Sequence, residues 1–175
     1  MSTNPSELYV FISPIAAAFA GFGSLASGLR QHRGGAHTRV DAMRLGSMLS
    51  ASLSATLLAL LPATFAALLS NEQLAIRASA LIAVVSIVGV APVHIIRSLK
   101  IRKLPGHSKW AFGANTVCAL IALGAFVLCL LGIPPNKIEA LYLLGLVGLL
   151  GSSVVMFSRV IDSMLRAYDR SADTN

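Results

Sequence analysis

The stretch AFAGFGSLASGLR, Ala18–Arg30, decides the fold. It contains Gly21-x-Gly23-x-x-Ala26, the spacing of a dinucleotide-binding loop, and an acid, Asp41, follows at nearly the distance such a loop calls for. A working loop needs a strand before the glycines and a βαβ unit around them, so that free amides meet a pyrophosphate. Here YVFISPIAAAFA precedes the glycines, and Leu8–Leu29 is one apolar run of membrane length. No pyrophosphate reaches backbone amides inside such a helix. The string reads instead as a packing face: Ala16, Ala20, Ser24 and Ser27/Gly28 recur at helical spacing, and small residues let two helix backbones approach closely in lipid. Arg30 marks the point where the chain leaves the membrane.

The rest of the chain supports this choice. Of 175 residues, 55% are hydrophobic and 12% charged, against about a quarter charged in soluble domains. Mean hydropathy is +0.76. Four further apolar runs follow the first, at about Leu45–Leu69, Ala78–Ile96, Ala111–Ile133 and Leu141–Val160. Each is long enough to cross about 30 Å of hydrocarbon at about 1.5 Å per residue. The third is the shortest and extends naturally back through Arg77. The expected architecture is all-α: a polytopic bundle of five membrane spans forming one integral membrane domain over residues 1–175, with a frayed tail from Asp169 to Asn175.

The net charge of +7 is unevenly placed. Twelve of the fourteen basic residues lie in the first loop, the third loop and the C-terminal segment. By the positive-inside rule these three are cytoplasmic, which sets the N-terminus outside and the C-terminus inside. An odd number of spans requires the same. The basic excess therefore speaks for anionic lipid at the cytoplasmic face rather than for nucleic acid. A cleaved signal peptide is the competing reading of the first run, with Ala26-Ser27-Gly28 as a small-residue cleavage site. Against it stand Glu7 in place of a positive n-region and the length of the run.

Several polar residues inside the spans are candidates for function. Ser47, Ser50 and Ser54 share one face of the second run, with Ser52 and Thr56 nearly opposite. Membrane hydroxyls bond their own i−4 carbonyls, bond a neighbouring helix, or line a pore. Asn115 is the most polar uncharged side chain within a span and needs a protein or water partner. Pro62 is expected to kink its helix. His94 stands near a cytoplasmic end, where it packs or relays protons. Gly145, Gly148 and Ser152 form a small face on the last helix. Two cytoplasmic ion pairs are expected: Asp41 with Arg44 after a Thr38-x-x-Asp41 capping box, and Arg159 with Asp162 one turn on. Cys118 and Cys129, about 16 Å apart along one helix, are too distant to bridge.

No Asp or Glu stands in the middle of any run, and no metal-ligand set, Ser/His/Asp arrangement or Mg²⁺ motif occurs. Pumps, proton-coupled carriers and most intramembrane hydrolases need such groups. No catalytic residue and no cofactor is therefore expected. The order of FAGFGSLASGLR, DAMRLGSMLSASLSATLLALLP, Trp110 with Asn115, and YLLGLVGLLGSSVVMFSRVI resembles a group of small bacterial membrane proteins of about five spans. The resemblance runs from Glu7 to Ile161, with Asp41-x-x-Arg44-Leu45 and the Gly145-to-Arg159 helix as its best motifs. It implies a multi-pass protein of the bacterial inner membrane; it implies no substrate and carries over no functional residue. Two functions remain open: a passive channel for ions or small solutes, its mouth biased toward anions by the basic loops, and a non-catalytic accessory or scaffold subunit of a membrane complex. The small-residue stripes on the first and last helices lean toward a homo-oligomer or a complex subunit.

Overall fold

In the computed structural model the described residues are 39–101 and 109–172, with the helical positions Pro14, Ile15, Ala17, Ala18 and Gly21. Four helices follow one another: α1 (Arg39–Leu68), α2 (Glu72–Ile101), α3 (Lys109–Leu131) and α4 (Ile138–Ala172). The segments Leu45–Leu68, Glu72–Val93, Phe112–Leu131 and Pro135–Asp162, the last including the short turn before α4, are long and apolar enough to cross a membrane. The first expected span, with its packing candidates Ala20, Ser24 and Gly28, lies largely outside the described residues. Four of the five expected spans are thus seen as helices.

The boundaries follow local chemistry. The third apolar run extends back through Arg77, because Asn71 starts the helix earlier: its Oδ1 accepts the Leu74 amide at 3.2 Å, an N-cap bond, and Glu72 sits at the positive end of the helix dipole. α3 ends at Gly132, whose φ of +69° favours a residue without Cβ. The Gly132 amide bonds the Cys129 carbonyl and the Ile133 amide bonds the Leu128 carbonyl, each at 3.1 Å. This pair is a Schellman cap. The prolines after it hold a short 3-10 turn, Pro135–Lys137, and α4 then returns antiparallel to α3. α4 runs past Val160 to Ala172, so the first residues of the expected tail are helical.

The helices form a ring in which α4 packs most extensively on α3 and α1, and α2 packs between α1 and α3. Both short connections, at residues 69–71 and 132–137, lie at one end, here the hairpin end. The opposite end carries Arg39, Arg44, Arg97, Lys100, Lys109 and Arg159 along the helices. The apolar core occupies the hairpin half and includes Leu58, Ile76, Ala80, Phe126, Tyr142 and Leu146. Large apolar side chains also point outward on every helix: Leu57 is 65% exposed, Val85 62%, Leu120 61% and Val147 54%. A bundle in water would turn such residues inward; a surface apolar on all sides suits lipid.

Candidate functional site

Above the core, toward the basic end, the four helices part around a cavity of about 170 Å³. Each helix contributes a polar side chain to its wall: Ser47, Ser50 and Ser54 from α1, Ser86 from α2, Asn115 from α3 and Ser152 from α4. Sequence spacing places the three α1 serines on one face; the fold brings Asn115 to the same space. Ser50 and Ser86 are exposed, and Ser47, Ser54, Asn115 and Ser152 are half-buried. Among the described residues no ionisable side chain lines the cavity. Leu58 and Leu149 line it toward the core, and next to them stands the aromatic pair Phe126–Tyr142, edge to face at 5.3 Å between centroids.

The hydroxyls divide into two kinds. Thr56 donates to the Ser52 carbonyl at 3.0 Å, Ser79 to the Ala75 carbonyl at 2.9 Å, and Thr116 to the Phe112 carbonyl at 2.9 Å. These bonds to the preceding turn spare the hydroxyl an unpaired existence in an apolar surrounding. Ser52, on the face opposite the α1 stripe, is buried and donates to Ser153 Oγ at 3.1 Å, joining α1 to α4. Among the described residues Ser50, Ser54 and Ser86 enter no such bond, and they face the cavity.

Asn115 is held from α4. Its Oδ1 accepts the hydroxyl of Ser152. An amide whose oxygen is so committed keeps its two N–H donors for other partners. Ser152 therefore serves two ends, as a packing contact and as the group that orients Asn115.

The other two members of the small face lie along the α3–α4 seam. A Cβ on Gly148 would come within 3.0 Å of the Ala122 amide nitrogen and of the Cys118 carbonyl. A Cβ on Gly145 would meet the Phe126 ring at 2.6 Å. Gly145, Gly148 and Ser152 are thus used within the chain, where they let α3 and α4 approach and leave room for the Phe126 ring.

At the basic end Arg159 Nη1 stands 3.3 Å from Asp162 Oδ2. The side chains of Asp41 and Arg44 lie outside the described residues, as does that of His94. At the hairpin end Arg77 lays its guanidinium against Gly132. There the cation faces the C-terminus of α3, the negative end of its dipole.

Two residues important to the site escaped sequence reasoning. Ser86 stands in a run of Val, Ile and Ala, seven residues after Ser79; that spacing places both on one helix face and could have marked it. Tyr142 donates to the Leu58 carbonyl at 2.6 Å, and the signal for that was Pro62, four residues beyond Leu58. Among the described residues no group of His, Cys, Asp or Glu could hold a metal ion. No protein-family profile, curated protein or solved structure matches this chain.

Proposed function

We propose that the chain is a multi-pass protein of a bacterial inner membrane, N-out and C-in, and that it acts as a passive pathway for ions or small solutes. The observation that carries this reading is the cavity: four apolar helices each turn a hydroxyl or amide into one space at the basic end. Polar groups are costly in apolar membrane helices and need partners, and a permeant solute needs such groups to replace its water. The basic end would be cytoplasmic, where Lys and Arg also meet anionic lipid. The Phe126–Tyr142 layer closes the path in this conformation, so passage requires that layer to part. Nothing in this reading calls for a catalytic group or a cofactor.

The test is flux in proteoliposomes containing the purified full chain. Anion, cation and neutral-solute release are measured against protein-free vesicles. Transport above the control, lowered by Asn115→Leu, supports a pathway; absence of flux for every solute overturns it.

A second reading, a non-catalytic accessory or scaffold subunit, draws on Gly46, Gly89, Gly113 and Gly124. These are exposed, with open space where a Cβ would stand, so a further helix could approach there. A stable assembly with a second membrane protein, without flux from either alone, would favour it. Homo-oligomerisation is compatible with both readings.

A further inference from the structure

We infer that the cavity is a binding site for a small monovalent anion, held by the hydroxyls of Ser50, Ser54 and Ser86 and by the amide N–H groups of Asn115. The inference rests on the cavity being a solute pathway and assigns that pathway a charge class.

The donors are the first argument. The hydroxyls of Thr56, Ser79 and Thr116 are spent on the preceding turn, and that of Ser52 on Ser153. Those of Ser50, Ser54 and Ser86 are not, although they share one space. Asn115 adds two further N–H donors, and its carbonyl oxygen, the group that would repel an anion, is occupied by Ser152. The site therefore offers hydrogen-bond donors from three helices, with the Asn115 oxygen already engaged by Ser152.

Charge is the second argument. Among the described residues no carboxylate lines the cavity. Toward the same end every helix carries a basic residue within two turns of the wall: Arg44 beyond Ser47, Arg97 beyond Ala91, Lys109 before Asn115 and Arg159 beyond Ser152. Asp41 and Asp162 oppose them only in part. A cavity with low-dielectric walls focuses the positive field of its mouth and concentrates anions there. A cation would meet this field with no acid to receive it.

Size and the absence of a lining cation set the class. A space of about 170 Å³ corresponds to about six waters at their liquid volume, about 30 Å³ each. A halide or nitrate fits with part of its hydration shell. A divalent oxyanion has more charge to desolvate, and no Lys or Arg stands among the described wall residues to offset it.

The experiment titrates the purified full chain with sodium bromide against sodium gluconate at constant ionic strength, following the thermal midpoint, with bromide and urea flux measured in proteoliposomes. Bromide is expected to raise the midpoint saturably and to be transported. Asn115→Asp, nearly isosteric but carrying an acid, is expected to abolish the bromide effect. Ser50→Ala with Ser54→Ala, which removes hydroxyls that support no other bond, is expected to weaken it about tenfold. Saturable bromide binding that disappears in these variants without flux of any solute would leave the anion site standing and remove the pathway. Urea flux without a saturable bromide effect would overturn the anion site and leave the pathway. Bromide binding unchanged in both variants would place the anion elsewhere and overturn the inference.

Discussion

Tyr142 donates its hydroxyl to the carbonyl of Leu58 at 2.6 Å, and Leu58 is the residue whose carbonyl Pro62 cannot bond. A proline inside a helix lacks the N–H that would reach back four residues. In lipid no water is available to take the place of that N–H, so the freed carbonyl must find a partner in the protein. The partner comes from α4, and it ties α1 to α4 directly beneath the cavity. Pro62 therefore does more than interrupt a ladder: it opens an attachment point that fixes the aromatic floor.

Tyr142→Phe should lower the stability of the purified protein by about 1–2 kcal/mol, the cost of leaving a buried carbonyl unpaired. In a Pro62→Ala background the restored backbone N–H satisfies Leu58, and the same change should cost clearly less. A double-mutant cycle by thermal or chemical unfolding reads the coupling. Strictly additive effects would show that Pro62 and Tyr142 are unrelated.

Glycines that the sequence presents alike should behave differently. Gly148→Val should destabilise by about 1–3 kcal/mol, because its side chain meets the backbone of α3 at the Ala122 amide and Cys118 carbonyl. Gly124→Ala should be neutral or stabilise by up to about 1 kcal/mol, since nothing lies within 4 Å of its Cβ position. Unfolding midpoints of the two variants decide this.

Gly132 combines two demands, a left-handed φ of +69° and room for the Arg77 guanidinium. Gly132→Ala should cost about 1–2 kcal/mol from the backbone alone, and more while Arg77 is present. In an Arg77→Ala background only the backbone part should remain. Equal losses in both backgrounds would show that the guanidinium yields freely.

These cases mark what the sequence could and could not reveal. Helices were legible because each apolar run exceeds the thickness of a bilayer. Their ends were less evenly legible: the Thr38-x-x-Asp41 spacing marked a start at Arg39 for α1, whereas α2 begins at Glu72, well before its apolar run. The serine stripe Ser47–Ser54 was legible from helical spacing, which is local information. That Asn115 and Ser86 join it, and that Ser152 orients Asn115, depends on which helices become neighbours in the ring. Helices apolar on all sides carry little record of their own facing, so periodicity does not choose among rotations about each axis.

Ala119→Leu separates the cavity's contribution to stability from its contribution to function. Ala119 lines the cavity and is half-buried, so three added carbons extend into the cavity rather than into the packed core. Filling a void typically stabilises by about 1 kcal/mol. A solute pathway through the same space would be obstructed by the same atoms. The expected result is a higher unfolding midpoint together with loss of both solute flux and the bromide-dependent midpoint shift. A stabilised variant that transports as well as the parent chain would show that the solute does not pass this wall. In a passive packing defect only the midpoint would change, so measuring stability and flux on one preparation distinguishes a defect from a site.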